Sequence, residues 1–154
     1  MNIITGNITS QNYKIAIIIS RFNEFINEKL LSGAIDILIR IGNMEKKNIT
    51  IIKVPGAYEI PIVAETIAKK NKHHGIITIG TIIKGETIHF EHLTSSITHN
   101  ILNISVKNNI PIALGILMTN NIEQAINRSG NKLGNKGSEA ATTILEMINI
   151  IKKI

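Results

Sequence analysis

Residues Gly75–His89 read GIITIGTIIKGETIH, and this stretch decides the fold class. Its apolar run Gly75–Gly80 is rich in β-branched side chains and lacks polar alternation, which is typical of a parallel strand covered on both faces. Gly85, Thr87 and His89 follow, where a strand would give way to a helix. Backbone N–H groups and a helix N-terminus at such a junction can bind an anion, so the stretch predicts a small-molecule site.

The same alternation of strand and helix recurs along the chain. Lys14–Ser20 is another β-branched run, and Asn23 follows it as a candidate cap for a helix that Gly42 ends. The apolar ridge of that helix repeats every four residues, at Ile26, Leu30, Ala34 and Leu38. Further strands are predicted at Ile49–Val54 and Ile110–Met118, and further helices near Ile60–Lys70, His89–Lys107, Ile122–Arg128 and Gly137–Lys152. This order favours an open, parallel α/β sandwich with right-handed crossovers.

Two segments lie outside that alternation. Residues 1–12 are predicted to form an edge or an arm that reaches a neighbouring copy. The glycine-dense segment Ser129–Gly137 is predicted to be a loop or kink between the last two helices. Neither a linker nor an internal repeat is evident, so we expect a single domain over residues 1–154 that buries roughly 70% of its unfolded surface.

The composition removes several classes of chemistry. The 154 residues include no cysteine, which excludes disulfides, thiolate nucleophiles and cysteine-based metal sites. No apolar run approaches the ~20 residues that cross a bilayer, and the N-terminus lacks the pattern of a signal peptide. The sequence therefore predicts a soluble cytoplasmic protein without a membrane partner.

The formal net charge of +6 could indicate nucleic-acid binding. However, the lysines are scattered, and only 3% of residues are aromatic, so there is no basic stripe with interleaved stacking side chains. Compositional drift towards isoleucine, asparagine and lysine is the simpler source of the charge, although an anionic substrate would also benefit from it. No nucleic-acid partner is predicted.

Ligands of open parallel sheets bind beyond the carboxyl ends of the strands. Phe22 and Tyr58 follow two predicted strand ends, where a ring could cover a flat heterocycle or serve only as a hydrophobic staple. The predicted ends are Ser20–Asn23, Gly56–Glu59, Thr81–His89 and Leu117–Thr119. Neither a Walker motif nor a G-x-G-x-x-G motif is present, which favours one phosphate held by backbone donors over a triphosphate or dinucleotide.

Two cations are candidates for the chemistry. His89 near a helix start could exchange protons at neutral pH or simply be solvated. Arg128, one of only three arginines, could hold a phosphate with its planar fork or only complement a helix C-terminus. His92 and His99 share helical spacing with His89, so a metal site formed by the three histidines is an alternative. The sequence lacks the carboxylates that usually accept a hydrogen bond from metal-bound histidines, which disfavours such a site.

Together these residues resemble the 6,7-dimethyl-8-ribityllumazine synthase family over nearly the whole chain. The resemblance rests on ordered motifs at Ser20–Asn23, Pro55–Pro61, Lys84–Glu91, Ile122–Arg128, and Gly134–Gly137 with Glu139–Ala141. It implies a flavodoxin-like three-layer α/β sandwich with a central, mostly parallel four-stranded sheet plus an N-terminal arm strand. It also implies a transferase that condenses 5-amino-6-(D-ribitylamino)uracil with 3,4-dihydroxy-2-butanone 4-phosphate in riboflavin biosynthesis. Phosphate and water are released, and no metal or redox cofactor takes part.

The resemblance also implies a set of site residues. His89 carries protons and is the catalytic residue, while Phe22 stacks on the pyrimidinedione. The residues implied to bind the pyrimidinedione and its ribityl chain are Phe22, Ala57, Tyr58, Glu59, Thr81, Ile82, Ile83 and Leu114. Glu86, Thr87 and Arg128 are implied to bind the phosphate, assisted by Lys136.

Family members assemble as pentamers whose sites are shared between neighbours, and many form an icosahedral 60-mer shell. By resemblance, Phe22, Tyr58 and His89 come from one subunit, while Leu114 and Arg128 come from the next, so an isolated monomer should be inactive. The segment Gly130–Gly137 lacks the insertion of pentamer-only relatives, which favours the shell. Association with riboflavin synthase is left open.

Three positions depart from the family pattern. Leu114 and Tyr58 stand where phenylalanine is usual, and Lys84 stands where arginine is common. Leu114 predicts a thinner pocket wall and weaker substrate binding. Two other readings stay open: a flavodoxin-like protein that binds flavin or phosphate without turnover, and a purely structural shell.

Overall fold

A four-stranded parallel sheet forms the centre of the structure, a computed structural model that describes residues 1–154. The strands lie in the order β2-β1-β3-β4, and every neighbouring pair is parallel. Their bounds are β1 Ile15–Ser20, β2 Ile49–Val54, β3 Gly75–Ile83 and β4 Ile112–Thr119. The predicted parallel sheet is confirmed, and β3 continues past the predicted end at Gly80 because Thr81–Ile83 pair with the last residues of β4.

Five helices accompany the sheet. Their bounds are α1 Glu24–Asp36, α2 Ile60–Lys70, α3 His89–Asn108, α4 Ile122–Asn127 and α5 Lys136–Ile151. A π-helical turn, Ile37–Ile41, extends α1 to Gly42, and a 3₁₀ turn, Ala57–Glu59, precedes α2. The predicted alternation of strands and helices is therefore confirmed. None of the helices is long and apolar enough to cross a membrane.

The helices cover both faces of the sheet and complete a three-layer α/β fold. On one face, α1 and α5 bury a cluster that contains Ile17, Ile77 and Leu145. On the other face, α2 and α3 bury a second cluster that contains Ile18 and Ile76. Because successive residues of β1 enter opposite clusters, the whole strand is buried, and this explains its uninterrupted apolar sequence.

The strand order creates a crevice beyond β1 and β3. The connection through α1 leads from β1 to β2 on one side, whereas the connection through α3 leads from β3 to β4 on the other side. The two helices thus depart to opposite faces from neighbouring strands. Such a topological switch point is where open α/β sheets bind their ligands.

Two local predictions were wrong. Asn23 precedes α1 but makes no capping hydrogen bond; its backbone is left-handed, with φ of 62°, and its side chain donates to the Thr81 carbonyl oxygen at 2.9 Å. Ser129–Gly137 is not a loop or kink but contains an antiparallel hairpin, β5 Ser129–Asn131 and β6 Gly134–Asn135. Gly130, at an irregularity in the pairing of β5, and Gly134, at the start of β6, adopt φ of 107° and 77°, a backbone that glycine allows.

The N-terminal arm, residues 1–12, forms no strand within this chain. It lies instead against α5: the Asn149 side-chain amide donates to the carbonyl oxygens of Asn7 and Thr9, at 2.9 and 3.1 Å. Lys153 adds a hydrogen bond from its Nζ to the Thr5 carbonyl oxygen at 2.7 Å. Contact between this arm and a neighbouring copy remains a prediction.

Candidate active site

A cleft of about 450 Å³ opens at the carboxyl ends of β1, β2 and β3. It is lined by Ser20, Phe22, Asn23, Gly56, Ala57, Tyr58, Thr81, Ile82, Ile83, His89 and Leu93. The structure thus brings together much of the predicted site from four separate segments of sequence. The sequence analysis missed Leu93 of α3 as a lining residue, since its helical spacing indicates only a core position.

Two aromatic rings stand at the mouth of this cleft. Phe22 is 72% exposed and Tyr58 is 73% exposed, although large aromatic side chains are usually mostly buried. The turns that hold them are joined, since the backbone N–H groups of Arg21 and Phe22 donate to the carbonyl oxygens of Val54 and Pro55 at 2.8 and 3.3 Å. Open rings on a fixed backbone can cover a flat, partly apolar ligand.

The floor of the cleft at the end of β3 is polar but fully hydrogen-bonded. Thr81 is buried, and its hydroxyl donates to the side-chain oxygen of Asn27 at 2.6 Å. The side-chain amide of Asn27 in turn donates to the carbonyl oxygens of Ser20 and Phe22. Asn27 does not line the cleft, but it contacts residues that do.

His89 is the first residue of α3 and lies on an exposed segment at the cleft rim. Its backbone N–H makes a long hydrogen bond of 3.4 Å to the Thr87 hydroxyl. Gly85, in the preceding loop, has no other group within 4 Å of where a Cβ would lie, so the space beside this loop residue is open. The position suits an anion that accepts hydrogen bonds from backbone N–H groups.

Lys84 begins that loop and is paired with α3. Its backbone N–H donates to the Thr119 carbonyl oxygen at 2.8 Å, and its Nζ lies 3.1 Å from a carboxylate oxygen of Glu91. The hydrogen bond from Lys84 lowers the pKa of the Glu91 carboxyl. Lys84 and Glu91 thus form an exposed ion pair beside the loop.

Several predicted site residues do not line this cleft in the single chain. Glu59 lines a groove between α2 and α3 instead, with its carboxylate turned towards Gly56. Glu86 and Thr87 lie exposed on the loop before α3. Leu114 and Arg128 line a second concave surface elsewhere.

This second concavity, of about 370 Å³, lies along the edge strand β4. It is lined by Leu114, Ile116, Leu117, Met118, Arg128, Leu133, Lys136 and Glu139. The Arg128 backbone is held on both sides: its N–H donates to Ala125, and its carbonyl oxygen accepts from Lys136 at 3.0 Å. The Lys136 side chain lies 3.3 Å from the Glu139 carboxylate, which leaves the exposed guanidinium of Arg128 without an acidic partner.

The start of α5 holds the segment of Arg128 and Lys136 in place relative to α1. Asn135 caps α5 by accepting a hydrogen bond from the Ser138 backbone N–H at 3.1 Å, and its amide donates to the Lys29 carbonyl oxygen at 3.0 Å. Gly137 lies so close to the Leu30 carbonyl oxygen that any Cβ would collide with it. The Gly134–Gly137 motif thus sets the positions of Lys136 and Glu139 relative to Arg128.

No group of three or more histidine, cysteine, aspartate or glutamate side chains is arranged to hold a metal ion. His99 instead pairs with the Asn103 side chain at 3.0 Å. The histidines of α3 therefore form no metal-binding cluster.

Known proteins are similar to this chain over nearly its whole length. Residues 12–152 match the family model described as 6,7-dimethyl-8-ribityllumazine synthase. A protein of that name from Buchnera aphidicola subsp. Baizongia pistaciae is 60% identical over 98% of this chain and 96% of its own length. Its namesake from Wigglesworthia glossinidia brevipalpis is 56% identical over the full length of both chains. The one from Yersinia pestis is 51% identical over 100% of this chain and 99% of its own.

Proposed function

The chain belongs to the 6,7-dimethyl-8-ribityllumazine synthase family, and we propose from this premise that its cleft forms that lumazine. As a member, it is a transferase of riboflavin biosynthesis. The substrates are 5-amino-6-(D-ribitylamino)uracil and 3,4-dihydroxy-2-butanone 4-phosphate, and phosphate and water are released. The observation that carries the proposal is the cleft at the switch point, where exposed rings, a polar floor and a helix N-terminus with His89 meet.

The first group of residues binds the pyrimidinedione. Phe22 stacks on its ring, and Tyr58 covers it from the turn after β2. The ring edge and the ribityl chain lie along Ala57–Glu59 and Thr81–Ile83, where strand ends and turns offer backbone donors and acceptors. Because the substrate supplies its own amine as nucleophile, no activated serine or cysteine is needed, and positioning contributes most of the acceleration.

The second group binds the butanone phosphate. Arg128 offers a planar fork to the phosphate, and Lys136 adds charge beside it. Glu86 is itself an anion, so its backbone N–H, with that of Thr87, is the group that suits a phosphate at the start of α3. His89 transfers protons during imine formation, phosphate elimination and ring closure.

We further propose that two copies of the chain complete each site. Within one chain, the cleft and the Arg128 concavity are separate surfaces, so Arg128 and Leu114 of one copy would face Phe22 and His89 of the next. A closed ring provides this repeated head-to-tail contact. The pentamer, its assembly into an icosahedral 60-mer and association with riboflavin synthase are parts of this proposal. Light scattering of the purified protein would test the two assemblies, and co-purification with riboflavin synthase would test the association.

The function is tested by incubating the purified protein with both substrates and measuring the fluorescence of the lumazine product. We expect Arg128→Ala to reduce kcat/KM by roughly 10³-fold, because a charge-assisted phosphate contact is lost in a water-poor site. We expect a smaller loss for His89→Ala, roughly 10²-fold, because solvent can replace part of its proton transfer.

The matched control is Arg40→Ala. Arg40 is exposed and pairs only with Asp36 on the same helix, so its loss should leave the rate unchanged. No product from well-assembled wild-type protein would contradict the proposal, and bound flavin without turnover would favour the flavin-binding alternative. Cytoplasmic location, expected from the sequence, remains a prediction that cell fractionation would test.

A further inference from the structure

We propose that Asn27 is a positioning residue of the cleft, whose buried amide holds the Phe22 turn against the end of β3. Asn27 lies in the second turn of α1 and is 0% exposed, so it cannot touch a substrate. It must act through the residues to which it is bonded. The inference rests on the proposed function only in naming the substrate whose binding should change.

Three hydrogen bonds join Asn27 to two strands. Its Nδ2 donates to the Ser20 carbonyl oxygen at 2.7 Å and to the Phe22 carbonyl oxygen at 2.8 Å, which uses both amide hydrogens. Its Oδ1 accepts from the Thr81 hydroxyl at 2.6 Å. One side chain thus ties the turn after β1 to the last part of β3, on the two sides of the switch point.

Neither the isosteric aspartate nor a leucine of similar size can make this set of bonds. An aspartate lacks both donors, and a leucine removes both donors as well as the acceptor of the buried Thr81 hydroxyl. Asparagine also weakens a helix interior because its side chain competes for backbone groups. The helix therefore accepts an unfavourable residue at the one place where its amide reaches both strands.

Phe22 depends on this tie because packing does not fix its ring. The ring is 72% exposed, so its direction follows from its backbone. On the amide side, the Phe22 N–H has a 3.3 Å hydrogen bond to the Pro55 carbonyl oxygen; on the carbonyl side, the strong bond is the one from Asn27. The Ser20 hydroxyl lies at 3.5 Å from the same oxygen and is a poor substitute.

The groups proposed to bind phosphate are not part of this network. Asn27 has no hydrogen bond to the loop that contains Glu86 and Thr87, nor to the Arg128 concavity. Loss of the tie should therefore weaken binding of the pyrimidinedione while it leaves binding of the butanone phosphate unchanged. A merely structural role would lower stability and move neither constant selectively.

Asn149 provides the matched control. It is also a buried asparagine on a helix, and it bonds Tyr13, Asn7, Thr9 and Leu145 at the far end of the sheet. We expect Asn27→Leu and Asn149→Leu both to lower the melting temperature. Only Asn27→Leu should raise the KM for the pyrimidinedione, by roughly tenfold for the loss of buried hydrogen bonds.

The test measures both KM values and, by calorimetry, the Kd of 5-amino-6-(D-ribitylamino)uracil alone, which binds without turnover when the second substrate is absent. Asn27→Ser, which keeps one hydroxyl donor, should fall between wild type and Asn27→Leu; it decides the question if the leucine variant does not fold. An active wild type with the same pyrimidinedione KM and Kd in the Asn27 and Asn149 variants would overturn the inference. If the wild type shows no turnover, the proposed function is contradicted, and the Kd values alone test the positioning role of Asn27. If the wild type neither binds the pyrimidinedione nor turns over, both the proposed function and the role of Asn27 are contradicted.

Discussion

At the carboxyl end of the sheet, Asn27 joins β1 to β3; at the amino end, Asn149 joins the N-terminal segment to Tyr13 and α5. Both ends thus use a buried asparagine whose bonds cross elements distant in sequence. At the amino end, the ring of Tyr13 is fully buried, under His74 and with the Lys152 ammonium 4.2 Å from its centroid. At the carboxyl end, the rings of Phe22 and Tyr58 remain exposed. We call the amino end of the sheet, with its buried Tyr13 ring, the closed end, and the carboxyl end, with its exposed rings, the open end.

The difference shows that buried hydrogen-bond networks of one kind can serve either stability or ligand binding. Where the rings are enclosed, the network closes the core and contributes to stability. Where the rings are left exposed, the same kind of network also holds a surface ready for a ligand, and the rings themselves add little stability. Substitutions of the rings at the two ends should therefore separate activity from stability.

Among the substitutions that compare the two ends of the sheet, Phe22→Ala at the open end should have the largest effect. We expect kcat/KM to fall by roughly 10- to 100-fold, because stacking on the pyrimidinedione is lost. The free energy of unfolding should change by less than about 0.5 kcal/mol, since the ring is exposed. Steady-state kinetics and urea unfolding measure the two quantities, and a large loss of stability without a change in rate would reverse the assignment of this end.

The closed end should respond in the opposite way to Tyr13→Phe. The buried side-chain oxygen of Asn149 would lose its donor, so we expect the free energy of unfolding to fall by about 1–3 kcal/mol. Lumazine formation by the remaining folded protein should be unchanged. Tyr58→Phe makes the same chemical change on an exposed ring and should leave stability unchanged; equal effects of the two substitutions would contradict the comparison.

Leu114→Phe tests the Arg128 concavity along β4. This surface can affect substrate binding in the cleft only if it meets the cleft of a neighbouring copy. A larger ring on β4 should thicken the wall of the proposed site and lower KM, by roughly threefold for the apolar area it adds. Steady-state kinetics with each substrate varied in turn would measure this. An unchanged KM would remove the idea that Leu114 weakens binding.

The smallest effect concerns pH at the closed end. Burial lowers the pKa of His73 and His74 below the ordinary value of 6.5, and nearby lysines lower it further. The Lys14 backbone N–H also donates to Nδ1 of His74 at 2.9 Å, which requires that nitrogen to be unprotonated. As pH falls below 6.5, the unfolded chain therefore takes up protons that the folded chain resists, so stability is lost.

Melting temperatures between pH 7.5 and about pH 5 would measure this loss, above the range in which the carboxyl groups titrate. The double variant His73→Gln, His74→Gln should flatten the profile. His99→Gln, on the exposed face of α3, should leave it as in the wild type. A profile that the double variant does not flatten would contradict the assignment of these two histidines.

The regular part of the fold could be predicted from the sequence because hydrophobic periodicity reports burial directly. The bounds of β2 and α2 coincide with those predicted, since Pro55–Gly56 and the αL residue Asn71 mark their limits. β3 was predicted too short because Thr81–Ile83 are recognisable as strand only through their partners in β4. The hairpin at Ser129–Asn135 likewise depends on pairing that local composition does not reveal.

The site was predictable at the strand ends and much less so beneath them. Phe22, Tyr58 and His89 were found because strand ends converge whatever the loops do. Asn23 was assigned as a helix cap, since the sequence does not show that its side chain turns to Thr81 instead. Asn27 was passed over because it lies beside the apolar ridge of α1, where a polar residue normally faces solvent.

We propose that the cleft of one copy and the Arg128 concavity of another form one active site. Mixing two inactive variants tests whether each site is shared in this way. Phe22→Ala and Arg128→Ala chains would each be assayed alone and after joint refolding in equal amounts. If neighbouring copies share each site, half of the clefts and half of the Arg128 concavities are intact, and random mixing restores about a quarter of wild-type activity. Activity that stays at the mean of the two separate variants would contradict the account.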